Sequence, residues 1–431
     1  MLYSHLSVNA FGHLTLGGAD TVALAKKYGT PLYLLGEDVI RGMCRLWKRT
    51  MESAYGTDAL PLYASKALSF KGIYRIVAEE GLGVDCVSPG EIHTAHAAGF
   101  PMEKVFFHGN NKTDADISFA MDAGVGVIVA DSPEELCAIG REAVQRGTVQ
   151  SVFLRVTPGI DPHTHKKITT GTVDSKFGLP ISTGQAMELV GTALSTDGIR
   201  LDGIHAHIGS QIFLQQPFID EARILLAFRR QIRDMFGYTV PALNLGGGPG
   251  VRYIEEDPEP DYAATIRAVA ETVRAVCHEQ NMPVPRIYAE PGRSLVAAAG
   301  VTLYTVGTVK TIPGFRTYVS VDGGMPDNPR YALYGSHYTA LIANRADAPK
   351  DTLVTLAGRC CESGDLIGED MPLQKAERGD IVAVLTTGAY NYSMASHYNR
   401  IPNPPVVLLH NGTDTLAVRR ESYDDLIRSD L

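Results

Sequence analysis

The sequence lacks several features that would assign a class directly. Six cysteines (Cys44, Cys86, Cys137, Cys277, Cys360, Cys361) contain no Cys-x-x-Cys pair, so no disulfide scaffold is indicated and the thiols read as reduced and cytoplasmic. No basic tract offsets a net charge of -9, which excludes a partner gripped by its phosphate backbone. Nowhere do enough apolar residues run together to cross a bilayer. The opening MLYSHLSVNAFGHLTLGG has no basic segment followed by an apolar core, so neither secretion nor a membrane role is expected. What remains is a chain of 431 residues, longer than the roughly 250 to 300 at which a single core stops growing, and two domains are expected.

A weak alternation over Leu2–Leu16 stops at Gly17-Gly18 and reads as an edge strand, followed by a short helix capped by Asp20 and a strand, PLYLLG. Past a helix near Asp38–Ser53 the chain becomes rhythmic. Apolar runs at PLYAS, GVDCVS, VFFHG, VIVAD and SVFLRVT each precede a helical segment, and GEIHTAHAAG, TDADISFAMDAG and SPEELCAIGREAVQRG open on cap-type or acidic residues. LDGIHAHIGS, PALNLGGG and RIYAEPG add three strands at wider spacing. Strand-helix repetition of this kind is parallel α/β architecture, and eight such strands close a (β/α)8 TIM-like barrel whose chemistry gathers at the C-terminal strand ends. Lys66, Ser88, His108, Asp131, Arg155, His207, Gly246–Gly248 and Glu290 all fall at those ends. After Arg293 the texture turns to strands separated by turn residues, predicting a mostly β C-terminal domain, a sandwich or Greek-key barrel completed by the N-terminal strands. The expected division is a barrel over 36–292 and a β domain over 1–35 plus 293–431. The polar stretch 157–176 suits a loop over the barrel mouth.

LPLYASKAL, residues 60–68, reads as a buried strand carrying one lysine, Lys66. Such a lysine either reaches solvent or a carboxylate, or is a desolvated amine that condenses with a carbonyl cofactor. The run Leu245–Gly250 is a tight turn or a phosphate cradle. His205 and His207 share a strand face, but no further ligand is evident and no metal is expected; a ring stacked on an aromatic cofactor is the better reading of His207. Glu290 and Arg293 in EPGR either pair with each other or serve a site.

Taken in order, YASK, GNNK, RVTPG with DSKFG, HIGSQ, GGGPG, EPGR, DNPRYALYG, CESGD and GAY resemble the diaminopimelate decarboxylase family, fold-type-III pyridoxal-phosphate enzymes of the alanine-racemase class. The resemblance runs from the N-terminal strands to about Pro404. It implies decarboxylation of meso-diaminopimelate to L-lysine and CO2, with pyridoxal 5'-phosphate held covalently by Lys66. By the same resemblance Gly246, Gly247, Gly248, Ser210 and Tyr390 bind the phosphate, His207 stacks on the ring, and Glu290 faces the pyridine nitrogen, with Pro291, Gly292 and Arg293 completing that motif. A carboxylate there keeps the ring protonated and a strong electron sink, where the related racemases place an arginine.

The resemblance also assigns the substrate's two carboxylates to Arg293 and Arg330, with Tyr334 and Tyr390 adding hydroxyls and Glu362 meeting the far ammonium. Cys361 resembles the proton donor that quenches the carbanion. Because the CESGD segment of family members enters the partner's barrel, a homodimer with shared sites is implied. Pro249 departs from an all-glycine loop by removing one N–H, and Cys360 beside Cys361 offers a second thiol. The alternatives are a related decarboxylase of D-lysine, ornithine or a carboxylated polyamine and, from another class, a non-catalytic pyridoxal-phosphate carrier.

Overall fold

The computed structural model describes residues 1–160 and 174–431; most of the loop expected over the barrel mouth, 161–173, lies outside the described residues. The chain divides into two compact units, one of 44–250 and 260–292, the other of 1–43, 251–259 and 293–431.

In the first unit eight parallel strands close on themselves: β1 (Leu60–Ala64), β2 (Gly83–Cys86), β3 (Val105–Phe107), β4 (Val127–Ala130), β5 (Gln150–Thr157), β6 (Ile199–His205), β7 (Ala242–Asn244) and β8 (Arg286–Ala289). Closure is made where β8 meets β1, with Tyr288 opposite Leu60 and Ala289 opposite Pro61. The strands are short apolar runs because both of their faces are covered. The helices between them start where the sequence supplies a cap. Ser88 and Ser132 accept backbone N–H bonds ahead of a proline in the first helical turn, and Thr113 and Asp116 form a reciprocal capping box. Ser88 is thereby a cap, which accounts for its place at a strand end.

An aromatic layer fills the barrel. Phe106, Phe153 and Tyr288 meet with ring centroids 5.0 to 5.6 Å apart, packed with Leu62, Val127, Val129 and Ala242. Gly203 is obligatory beside this layer, since a Cβ there would sit 2.3 Å from the Phe153 ring. With the interior plugged by side chains, polar residues have room only at the C-terminal rim.

The second unit is built on the long strand Gly300–Ile312. Its first half pairs antiparallel with Leu32–Gly36 and with Ile381–Leu385, and its second half with Arg316–Val321. Leu32–Gly36 also lies parallel to Val406–His410, so this N-terminal strand joins the β domain's sheet as the sequence suggests. The earlier N-terminal strands behave differently. Leu6–Val8, Leu14–Leu16 and Ala19–Asp20 form a separate three-stranded sheet, because the tight turn at Gly17 (φ 57°) and Gly18 (φ 83°) folds the segment back on itself. Leu6, Leu14 and Leu16 still enter the same core as Leu32, Leu34, Val301 and Leu303. Among the described residues no helix is long and apolar enough to cross a membrane.

Candidate active site

At the end of β8 the Glu290 carboxylate is buried and engaged on both oxygens. Asn244 at the end of β7 donates to Oε1 at 2.7 Å, and His205 at the end of β6 lies 3.1 Å from Oε2. His108, one residue past β3, brings Nε2 within 2.9 Å of Oε1 and 3.8 Å of Asp85 in β2. Burial pushes the Glu290 carboxyl up, but the two imidazoles outweigh it and hold the group well below the usual carboxylate range. Burial raises Asp85 despite the opposing His108, so of the two acids flanking that imidazole Glu290 carries the charge. Burial also pushes His205 down to about 4, keeping its ring neutral.

His108, His205 and Glu290 place their ligand atoms within 4.8 Å of one another. The sequence did not reveal this trio, because the three residues come from different strands. A neutral His205 and an Asn244 amide on the same carboxylate describe a hydrogen-bonded anion. His205 and His207, read from the sequence as sharing a strand face, serve different partners: His205 turns to Glu290, while His207 Nδ1 accepts the Gly247 N–H at 3.2 Å. Burial and the positive charge of Lys66 hold His207 well below its ordinary value, so it too is neutral.

Lys66 lies in the same rim, but not as the sequence suggests. Strand β1 stops at Ala64, and Ser65–Ala67 form a 3-10 turn that leaves Lys66 exposed between buried Ser65 and Ala67. The amine is therefore presented from a turn rather than desolvated in a strand. Its charge acts on Asp85, Glu91 and His207. The turn is pinned from below: Ser65 donates to Glu91 at 2.7 Å, and the same carboxylate oxygen accepts the Val87 N–H at 2.7 Å. Next to it the Ala64 N–H donates to the Pro291 carbonyl at 3.2 Å. Gly292 permits this approach, since a Cβ would fall 2.9 Å from that of Ala64.

The glycine run is a close-packed crossing. A Cβ at Gly246 would lie 2.4 Å from the Ala206 carbonyl oxygen, at Gly247 2.1 Å from that of Glu290, and at Gly248 2.7 Å from that of Gly209. Two of the N–H groups expected to face a phosphate are already used, Gly246 by Asn244 Oδ1 at 3.0 Å and Gly247 by His207 Nδ1 at 3.2 Å. Among the described residues Gly248 is the donor in the run that no side chain engages. A pyridoxal-type cofactor fits this rim by its chemistry: an ionised carboxylate for a ring nitrogen, a neutral imidazole, a presented amine, and a turn where any side chain would collide with backbone.

The second unit gathers a different set. Arg293 donates to the Tyr253 hydroxyl at 2.7 Å and lies 4.8 Å from the Tyr390 ring centre, while Arg330 stacks 4.7 Å over Tyr253 and donates to Tyr338 at 2.9 Å. Burial pushes the Tyr253 phenol up, and the two guanidiniums more than reverse this, leaving it below the ordinary phenol range. Tyr253 and Tyr338 had no sequence signal; the fold brings them to the arginines from distant positions. Tyr334 ends the helix Arg330–Tyr334 half-buried. Tyr390 holds a positive φ of 61° beside Gly388, whose hydrogen occupies a space where a Cβ would be 1.9 Å from the Val296 carbonyl oxygen.

The CESGD segment is a turn organised by buried Asp365, which accepts the Met325 and Cys360 N–H groups at 2.6 Å each. This presents Cys361 and Glu362 at the surface of the unit. Burial and the neighbouring Asp365 push the Cys360 thiol up to about 12, which makes it a poor proton source.

Residues 37–297 match the model of the pyridoxal-dependent decarboxylase family, pyridoxal binding domain. A diaminopimelate decarboxylase of Bacillus subtilis is 45% identical over 424 residues, covering 98% of this chain and 96% of the relative. The solved structure of diaminopimelate decarboxylase from M. jannaschii superposes with a TM-score of 0.92 at 34% identity, covering 99% of this chain and 98% of that one. A second structure from that organism, a complex with L-lysine, gives 0.90 at the same identity and coverage. With the barrel, its buried anionic Glu290 and these near full-length likenesses together, the chain belongs to the diaminopimelate decarboxylase family of pyridoxal-dependent enzymes.

Proposed function

We propose that the chain decarboxylates meso-diaminopimelate to L-lysine and CO2 with pyridoxal 5'-phosphate. The observation that carries the reading is Glu290, held as an anion at the end of β8, which pairs with β1, the strand that leads into the turn presenting Lys66. The complex of the M. jannaschii relative with L-lysine fits this product. Bound at Lys66, the cofactor supplies an electron sink for the pair left behind by CO2. Glu290 keeps the ring nitrogen's proton in place, His207 offers a flat neutral face, and Ser210 with Gly248 and its neighbours takes the phosphate. Pro291 and Gly292 hold the end of β8 against β1.

The division that goes with this reading is a cofactor-binding barrel at 36–292 and a β domain of 1–35 and 293–431 for substrate and dimer contacts. Arg293 and Arg330, fixed by Tyr253 and Tyr338, present guanidinium forks suited to carboxylates, with Tyr334 and Tyr390 as hydroxyl donors. Cys361 returns the proton and Glu362 holds the distal ammonium. Both are exposed, and we assign them to the site of a partner chain in a homodimer. All six cysteines are free thiols, in keeping with a cytoplasmic enzyme.

The test is a substrate panel with CO2 and amino-acid products measured. Diaminopimelate is expected to be turned over to L-lysine, with D-lysine and ornithine inert. Turnover of D-lysine or ornithine without that of diaminopimelate would shift the assignment to a related decarboxylase. Binding of the cofactor without release of CO2 from any of them would indicate a carrier.

A further inference from the structure

Behind the glycine run, wholly within the barrel unit, lies a cavity of about 50 Å3. Its walls are nearly all apolar, with Met51 and Phe218 among them, and one wall is the outer side of Gly246 and Gly247 themselves. Two polar groups break the pattern. Glu221, on the helix Gln216–Phe236, is fully buried, and neither carboxyl oxygen has a hydrogen-bond partner in the protein. Trp47 also lines the cavity, is 4% exposed, and its indole N–H lacks a protein partner as well.

Buried polar groups are rarely left unpaired, because each costs the free energy of its lost water contacts. Burial, with the nearby charge of Glu290, raises Glu221 well above the ordinary range, so it is a neutral acid with one donor and one acceptor. The indole only donates. A guest satisfying both groups must accept from the indole and exchange a hydrogen bond with the acid. A carbonyl only accepts and an ammonium only donates, whereas a hydroxyl does both. A site of about 50 Å3 has room for one or two waters, each occupying roughly 30 Å3 in the liquid, or for an alcohol of similar size.

We propose that this cavity binds a small hydroxyl-bearing molecule, water or a short alcohol, between the Glu221 carboxyl and the Trp47 indole, and that through it Glu221 positions the Gly246–Gly247 loop for the cofactor phosphate. Gly246 and Gly247 line the cavity, so the guest abuts the backbone of the loop. Glu221 is a positioning residue: it acts on the phosphate through the guest and the loop. The second half of the inference rests on reading the glycine run as the phosphate site.

The test compares pyridoxal 5'-phosphate with phosphate-free pyridoxal, each titrated into the full chain stripped of cofactor. Glu221→Leu is expected to weaken the phosphorylated form about tenfold, the equivalent of the one buried hydrogen bond by which Glu221 holds the guest against the loop, and to leave pyridoxal unchanged. Glu221→Gln, which keeps a donor and an acceptor, is expected to restore the parent ratio. Equal weakening of both ligands by Glu221→Leu, or weakening of neither, overturns the positioning role. A parent chain that binds both ligands equally overturns the phosphate reading itself, and the loop's role with it. Crystals of the holoenzyme grown without alcohol and then soaked in ethanol separate the guests. Density within hydrogen-bond reach of both Glu221 and Trp47 in the first state identifies water, its replacement in the second identifies an alcohol site, and none in either refutes the site.

Discussion

Replacing Gly247 with alanine tests how the glycine run and the ring acid are joined. An ideal Cβ at Gly247 falls 2.1 Å from the Glu290 carbonyl oxygen and 3.1 Å from its carbonyl carbon. Both neighbours are backbone, so relief requires the loop and the end of β8 to separate by roughly 1 Å, a form of overpacking that costs about 1–3 kcal/mol. The same movement strains the 2.6 Å bond from the Glu290 N–H to the Gly246 carbonyl, adding about 1 kcal/mol. If half or more of that total falls on the cofactor-bound state, affinity for pyridoxal 5'-phosphate drops about 10–100-fold. The assay is titration of the stripped variant followed by cofactor absorbance, with thermal unfolding of the stripped chain as a measure of general damage. Parental affinity in a folded Gly247→Ala protein would refute the claim that this crossing shapes the cofactor site.

Other consequences follow from the same geometry. Glu290→Gln preserves the shape but removes the anion, and kcat for diaminopimelate should fall about 10²-fold or more, as when a preorganised electrostatic contact is lost, while cofactor stays bound; an unchanged kcat would dismiss the ring-acid role. Glu221 tests the linkage between burial and pH. Its folded value lies well above the ordinary 4.5, so the unfolded chain releases the proton first, and stability available below that pH falls as pH rises, by at most about 1.4 kcal/mol per unit. Glu221→Leu should remove this slope, so that its thermal midpoint gains on the parent's as pH rises; parallel curves would contradict a raised value. For the shared site, mixing inactive Lys66→Ala and Cys361→Ala chains under exchanging conditions should recover about a quarter of parental activity, because half of the dimers then carry one intact site. No recovery, with mixed dimers confirmed, would place Cys361 in the site of its own chain.

The barrel was legible because each strand is a short apolar run ahead of a recognisable cap, as at Ser88, Thr113 and Ser132. The cluster of polar residues at the strand ends followed from the same rhythm, and the roles proposed for them come from the family motifs. Local pattern failed where the chain turns or where distant residues meet. The apolar run around Lys66 continues past the point where hydrogen bonding stops, so strand and 3-10 turn looked alike in sequence. The glycine run was read as a row of open donors, yet Asn244 and His207 arrive from other strands and occupy two of them. Tyr253, Tyr338 and the Asp85–His108 contact are long-range meetings that no spacing announces. Glu221 had a signal of its own: it sits among Phe218, Ala222 and Leu225 on the buried face of its helix, where a charged residue is out of pattern.

The account stands most directly on which lysine carries the cofactor. Borohydride reduction of the holoenzyme makes an amine-linked pyridoxal permanent, and peptide mass spectrometry then locates it. The label is predicted on Lys66. Lys112, past the end of β3, is buried and held by Glu135 at 2.6 Å and by the Gly109 and Val129 carbonyls, so it is not expected to react. A label on Lys112, or no label on a chain that still forms L-lysine, would contradict the assignment.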